Sequence, residues 1–336
     1  MRKFVIFPVV ALLLLASCGK KNEALKEGTP AYQLAKAIGE KVPAVSPKTN
    51  KVLISTNSFK LTTADVIKVI VESSGRRADQ LKSFGADRLK SILNQTAENL
   101  AEKRLLLQAA KKAGITVTPA DVDSTLDIQY KRAGGKEKFQ QFLAQNGVSA
   151  DYVRKDIQDV LTIQRYLDKK LAKETEVTEA DIKTAYNEPK TTTVRHILLM
   201  TQGKSDSAKK AIRKKMEGIL ARAKKGEDFA KLAKKYSEDP GSKDNGGLYK
   251  DFGRGRMVKP FEDAAFNTPV GKISGIIETR YGYHILKVIN RKKETKPLSQ
   301  VHDQLKQQLK QKKQAAAYKA LIEKLKKDAN FQAFTL

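Results

Sequence analysis

Two histidines and one aspartate are the side chains of this sequence whose types and spacing could perform chemistry. The chain has three histidines in 336 residues, and two of them stand in apolar runs that are typical of strands. His196 lies in V-R-H-I-L-L-M and His284 lies in Y-G-Y-H-I-L-K-V, while Asp239 stands between these runs, directly before a proline. Two imidazoles that meet can share a proton and fix each other's tautomer, and a nearby carboxylate can tune their charge.

The sequence blocks around these residues follow one another in a fixed order. After the first strand come Y-S-E-D-P-G-S at residues 236–242, a glycine pair, F-G-R-G-R-M at residues 252–257, and a Pro-Phe pair. The order and spacing resemble the parvulin family of peptidyl-prolyl cis/trans isomerases over residues 194–289. A lone histidine on an apolar strand is usually a core residue, and an aspartate before a proline often only begins a turn. Four matching blocks in one order favour the functional interpretation.

The resemblance implies a role for each matching residue. His196 and His284 would be the paired histidines at the floor of the site. Asp239 would lie beside the carbonyl that twists, where the family has Cys or Asp. The residues implied to form the pocket for the proline ring are Met257, Phe261, Phe266, Tyr249, Thr279 and Tyr281. The alternative for the two phenylalanines is an ordinary core position.

One segment departs from the family pattern. Many parvulins have G-G-D-L-G-x-F where this chain has G-G-L-Y-K-D-F at residues 246–252. The leucine of the pattern lines the proline pocket, and Tyr249 stands in its place. We therefore expect Tyr249 to narrow or reshape the pocket, with lower activity or a changed preference for the residue before proline.

The chemistry expected of such a site makes no covalent bond. The amide before a proline rotates over a barrier of ~18–20 kcal/mol, on the order of 10–100 s without a catalyst. A turnover near ~10³ s⁻¹ requires about 7 kcal/mol of preferential transition-state binding. The site must hold the ring, favour the twisted amide and exclude water. No nucleophile, metal or cofactor is expected.

The N-terminus has the layout of an export signal. Two basic residues precede the apolar stretch of residues 4–16, which is too short for a spanning helix of ~20 residues. Leu-Ala-Ser-Cys at residues 15–18 resembles the bacterial lipoprotein box, which implies that Cys18 is lipidated and tethers the chain to a membrane on its extracytoplasmic side. The alternative is an ordinary signal peptide. Cys18 is the only cysteine, so no intrachain disulfide is possible.

The charge balance concerns partners more than fold. Lys and Arg outnumber Asp and Glu by 65 to 37, a formal net charge of +28, and the charges are spread along every predicted helix. Anionic membrane surfaces, anionic wall polymers and acidic unfolded clients fit this balance. A nucleic-acid partner is not expected. The hydrophobic fraction of 40% argues against wholesale disorder.

The periodicity predicts helices around the parvulin-like stretch. Thr-x-x-Asp pairs at Thr62, Thr118 and Thr178 predict three helix starts. Residues 51–61 are predicted to form a strand, a turn and a strand. Residues 299–327 form one long helix candidate that is too polar to be stable alone, which favours docking on other helices.

We therefore predict an α+β protein in which a parvulin domain, a four-stranded antiparallel sheet with surrounding helices, is inserted into an all-helical chaperone lobe. The predicted boundaries are a lipoprotein signal peptide at 1–17, a lipidated linker at 18–50, an N-terminal helical chaperone domain at 51–190, the parvulin domain at 191–292, and a C-terminal helix packing on the N-terminal lobe at 293–336.

The predicted function is that of a membrane-anchored extracytoplasmic peptidyl-prolyl cis/trans isomerase and chaperone. Its partners would be unfolded or partly folded exported polypeptides that contain X-Pro bonds. One alternative is a holdase whose parvulin domain is a weakly active or inactive peptide clamp. Another is a polyanion-binding surface protein driven by charge, whose binding would fall steeply with salt.

Overall fold

The computed structural model of the chain describes residues 24–336. The predicted signal peptide and Cys18 therefore lie outside the described residues. Among the residues that are described, every helix is too short or too polar to cross a membrane. The chain divides into two compact units: one extends to Glu176 and includes Lys312–Leu336, and the other is Val177–Gln311.

The first unit is built mainly from helices. Their bounds are α1 Pro30–Gly39, α2 Thr63–Ser74, α3 Ala86–Lys112, α4 Pro119–Ala133, α5 Lys136–Asn146 and α6 Ala150–Lys170, with 3-10 turns at Pro43–Val45 and Gly75–Ser83. The predicted Thr-x-x-Asp caps are confirmed. At Thr62 and at Thr118 the threonine oxygen accepts the N–H of the third helical residue, and the aspartate there accepts the N–H of the threonine.

Residues 30–45 belong to the core of this unit, which corrects the expectation of a linker over residues 18–50. Leu34, Ala35 and Ile38 of α1 are fully buried, together with Val42 and Val45. The physical reason is that apolar residues at helical spacing form one face of α1. Thr29 caps that helix, and a proline occupies its first turn.

The first unit also contains a small antiparallel sheet. The predicted strand-turn-strand is confirmed as β1 (Val52–Ser55) and β2 (Lys60–Thr62). A third strand, β7 (Gln332–Ala333), pairs with the other edge of β1, which gives the order β2-β1-β7. The lobe is therefore mainly helical, as predicted, with a small sheet whose third strand comes from the last residues of the chain and was not predicted.

The second unit holds the predicted four-stranded antiparallel sheet, which is confirmed. Its strands are β3 Thr191–Met200, β4 Leu248–Gly253, β5 Ile277–Thr279 and β6 Gly282–Lys292, in the order β4-β3-β6-β5. Its helices are α7 Glu179–Asn187, α8 Asp206–Lys224, α9 Phe229–Tyr236 and α10 Lys259–Asn267. The long helix α11, Leu298–Asp328, begins in this unit and ends in the first.

Each part of α11 buries apolar side chains in its own unit. Val301 and Leu305 pack with Ile182 of α7. In the first unit, Leu321 and Ile322 pack in a cluster with side chains of α3 and α6. Apolar side chains near both ends of α11 are thus buried, and this packing stabilises a helix that is too polar to form alone.

The sheet of the second unit separates two apolar clusters. Successive side chains of a strand point to opposite faces. Ile197 and Leu199 of β3 pack with buried residues of α8 and α9 on one face. Val194 of β3 and Leu286 of β6 pack with Phe261 on the face covered by α10. His196 belongs to this second face, because it is two residues from Val194 and its ring contacts Phe261.

Candidate active site

The register of β3 and β6 brings the two predicted histidines to one face of the sheet. His196 is directly opposite Leu286, and His284 is directly opposite Leu198. Residues that face each other in an antiparallel pair share a face, so the histidines are diagonal neighbours on the α10 side. Their ring centroids are 5.8 Å apart and the ring planes differ by 20°. Both residues are buried.

The loop after α9 carries Asp239 to the first of these imidazoles. Its backbone is tied to β3, because Glu238 donates its N–H to the carbonyl of Leu198 at 2.8 Å. The hydroxyl of Ser237 accepts the N–H of Leu198 at 3.2 Å. These bonds hold the carboxylate so that Oδ2 of Asp239 lies 3.1 Å from Nε2 of His196.

Ser242 is a site residue that the sequence reasoning missed. It is fully buried, its hydroxyl donates to the carboxylate of Asp239, and the same oxygen lies 2.8 Å from Nε2 of His196. The signal in the sequence was its position three residues after the aspartate, within the matched block. Short side chains at such spacing in a turn often bond to each other or to the turn backbone.

The arrangement does not create a serine nucleophile. In a Ser-His-Asp triad the serine contacts one imidazole nitrogen and the carboxylate contacts the other. Here Ser242 and Asp239 both contact Nε2 of His196, and Nδ1 of that ring is buried without a hydrogen-bond partner in the structure. The serine therefore serves as a bridge between the carboxylate and the imidazole.

The carboxylate of Asp239 is a charged acceptor to which three side chains of this cluster are hydrogen-bonded. Hydrogen bonding to His196, followed by the bonds to Ser242 and Tyr249, holds the pKa of Asp239 well below its usual range. An ionised carboxylate only accepts hydrogen bonds. Nε2 of His196 must therefore carry a proton, which it shares between the aspartate and the serine oxygen.

His284 is held from its outer side. Its Nε2 lies 2.8 Å from the hydroxyl of Thr279 on β5. Burial, followed by repulsion from His196, lowers the pKa of His284 from its ordinary 6.5 to about 4. No hydrogen bond joins the two rings, because Nδ1 of each is buried without a partner in the structure. The expected sharing of a proton between facing nitrogens is therefore not made in this arrangement.

The lowered pKa of His284 predicts a specific loss of stability in acid. Because the unfolded chain binds this proton first, the contribution of His284 is complete above pH 6.5 and falls by about 3 kcal/mol as the pH drops to 4. The variant His284→Gln, which takes up no proton, is expected to lose less stability over this interval. Thermal unfolding of both proteins from pH 4 to pH 8 measures the difference.

The matched control for that experiment is His302→Gln. Hydrogen bonds to Asp303 and Glu179 raise the pKa of His302, so its stabilising contribution is present below pH 6.5 and is lost as the pH rises. Its replacement should change the profile only above that value. Parallel wild-type and His284→Gln profiles between pH 4 and 6.5 would contradict the assignment.

The aromatic residues of α10 lie against the histidine pair. The ring of Phe261 is edge-on to His196 at 5.3 Å and to His284 at 5.5 Å. Phe266 is buried beside Phe252, with centroids 6.2 Å apart. Met257 is half-buried and packs against the same cluster. The structure thus gathers the three apolar residues implied for the proline pocket.

Tyr249 and Tyr281 differ in their positions. The ring of Tyr249 stacks on His196 with centroids 4.9 Å apart, and its hydroxyl donates to Oδ2 of Asp239 at 3.0 Å. Burial, followed by the charge of Asp239, raises the pKa of Tyr249 to about 12. Tyr281 is 42% exposed, its hydroxyl accepts from Arg280, and it is not part of the apolar cluster.

The described residues offer no arrangement for a metal ion. In residues 24–336, no three or more His, Cys, Asp or Glu side chains are grouped so that they could hold one. What the arrangement provides is a fixed carboxylate and two imidazoles beside an apolar cluster, which is a low-dielectric environment for a polar group that changes its charge distribution.

Comparison with known proteins gives two family matches and many relatives. Residues 171–292 match the model of the PPIC-type peptidyl-prolyl isomerase domain, and residues 40–167 match that of the SurA-like N-terminal domain. The foldase protein PrsA of Clostridium botulinum is 32% identical over 267 residues, which cover 74% of this chain and 76% of the relative. That of Caldanaerobacter subterraneus subsp. tengcongensis is 30% identical and is covered over 96% of its length, by 99% of this chain.

One solved structure is also similar to this chain. The crystal structure of the peptidylprolyl isomerase PrsA from Bacillus anthracis is 25% identical, with a TM-score of 0.39, and the match covers 70% of this chain and 99% of that one.

Proposed function

The chain belongs to the PrsA foldase family of parvulin-type peptidyl-prolyl isomerases, and on this premise we propose that it is a membrane-anchored, extracytoplasmic isomerase and chaperone for exported proteins. The observation that carries the catalytic part is the meeting of Asp239, His196 and His284 beside the aromatic residues of α10. Substrates are polypeptides with X-Pro bonds.

The proposed catalytic step is rotation about the amide that precedes proline. The ring packs against Met257 and the phenylalanines of α10, and the amide carbonyl lies toward Asp239. As the amide twists, its resonance fades and its charge distribution changes. The carboxylate, already fixed by Ser242 and His196, interacts with the twisted form without having to reorganise. Neutral, buried His284 keeps the floor of the site free of a second charge.

The first unit supplies the proposed chaperone surface. Its helices leave three large apolar side chains about half exposed: Ile128 on α4, Phe142 on α5 and Val160 on α6. Such side chains bind unfolded segments by removing apolar surface from water. These exposed side chains support a role for the first unit in holding unfolded polypeptides, while the second unit catalyses isomerisation.

A protease-coupled assay on a proline tetrapeptide tests the catalytic proposal. The full chain is expected to accelerate cis-to-trans conversion, and a refolding client limited by proline isomerisation should fold faster in its presence. A chain that suppresses aggregation of the client but leaves both rates unchanged would favour the alternative of a peptide-binding clamp.

The lipid anchor is tested at Cys18. The wild-type chain expressed in a bacterial host is expected in the membrane fraction, and Cys18→Ser is expected in the soluble fraction, because the acyl chains supply the affinity. A wash at high salt serves as the control, since it removes a protein held only by its basic surface. A wild-type chain that leaves the membrane in this wash would refute the anchor.

A further inference from the structure

The site has little accessible surface where a proline ring must bind. Phe261 is 3% exposed and Phe266 is 6% exposed, although both are implied to contact the ring. A side chain binds a ligand through surface that the solvent can otherwise reach, so these two residues offer almost none in this arrangement. Something that covers the cluster must move before a prolyl peptide can bind.

Tyr249 has the position and the contacts of such a cover. It packs on the outside of the cluster that contains Phe261, and it is only partly buried itself. Its ring lies flat on the imidazole of His196, and its hydroxyl occupies an acceptor position on Asp239. One side chain thus shields the imidazole face and the carboxylate, the two groups that the twisting amide has to approach.

The hydrogen bond makes this position a stable one. A bond from a hydroxyl to an ionised carboxylate is stronger than a bond between neutral groups. Because burial raises the pKa of Tyr249 to about 12, the hydroxyl remains a donor at any ordinary pH. The leucine found here in many parvulins has no hydroxyl, so it makes no such bond.

We propose that Tyr249 is a gate: its ring and hydroxyl close the site at rest, and a prolyl peptide binds only after displacing them from His196 and Asp239. The proposal rests on the function proposed above. If only a fraction of the protein molecules has an open site, the apparent Kd for the peptide is the Kd of the open form divided by that fraction. The gate therefore raises KM for every prolyl peptide by the same factor.

The test measures turnover and binding of one proline tetrapeptide with the full chain. Tyr249→Leu is expected to lower both KM and the Kd from calorimetry about tenfold, because the peptide no longer has to displace the tyrosine before it binds. Tyr249→Phe keeps the ring but loses the hydroxyl, and about a threefold decrease is expected. The control Tyr186→Phe loses a similar bond, to the carbonyl of Lys296, away from the histidines, and should change neither constant.

Each outcome decides one proposal. A leucine variant that binds the peptide no more tightly than wild type, at an unchanged unfolding temperature, overturns the gate. If that variant is unstable, the same criterion applies to the phenylalanine variant. Tighter binding by the variants without isomerisation by any form would retain the gate and reject the catalytic proposal. Isomerisation by wild type with no gain in either variant would reject the gate alone.

Discussion

Replacing Asp239 with alanine is expected to lower kcat/KM for a prolyl peptide by about 10²–10³-fold, the usual effect of removing one preorganised electrostatic group. Asp239 is the acceptor for His196, Ser242 and Tyr249, and its lowered pKa keeps it ionised throughout the working pH range. Its loss removes the negative charge that we propose to lie beside the amide. The protease-coupled tetrapeptide assay measures the effect.

Two further substitutions at the same position separate charge from structure. Asp239→Asn keeps the shape and loses the charge, and we expect it to lose nearly as much activity as alanine. Asp239→Cys introduces the other residue that the parvulin family has at this position, and we expect activity within about tenfold of wild type. An asparagine variant as active as wild type would show that the charge has no catalytic role.

Gly247→Ala is expected to destabilise the isomerase unit by more than about 4 kcal/mol, which is exceptional for one methyl group. The backbone of Gly247 has a φ of 77°, a conformation that favours glycine. A Cβ there would stand 2.1 Å from the carbonyl oxygen of His196, whose own N–H donates to Gly247 at 2.8 Å. The clash is with a central strand, so its relief would displace His196.

Gly255→Ala is the matched control for this prediction. Gly255 has nearly the same φ, 80°, but a Cβ there would meet no atom within 4 Å. This substitution should lower the free energy of unfolding only by the cost of a left-handed alanine, about 1–2 kcal/mol. Hydrogen–deuterium exchange of β3 and β6 in the full chain reports both changes. Equal protection in the two variants would show that the approach of β3 to the glycine turn is not tight.

The sequence predicted those features whose signal is local or belongs to a family motif. The Thr-x-x-Asp caps at Thr62 and Thr118 are local, because donor and acceptor are three residues apart. The strand positions of His196 and His284 follow from apolar runs, and the motif order implied that the two strands are neighbours. The residues gathered around Phe261 were also implied by motif.

What escaped prediction depends on contacts between distant segments. The place of helix α1 in the core is one example, because Leu34 and Ile38 are buried against other helices of the unit. The hydroxyl of Tyr249 reaches Asp239 only because β4 lies beside β3. The distance between the two imidazole rings likewise depends on the geometry of the strands, which composition and motif spacing do not determine.

The pairing of β7 with β1 has a consequence for the time course of biogenesis. Ile54 pairs with Ala333, and Phe334 donates its N–H to Leu53. Closing so long a loop is slow, because the entropy of the intervening chain opposes it. During synthesis the isomerase unit, which is continuous over Val177–Gln311, is complete before the other unit receives its last strand. The isomerase unit would thus be able to fold before the first unit is complete.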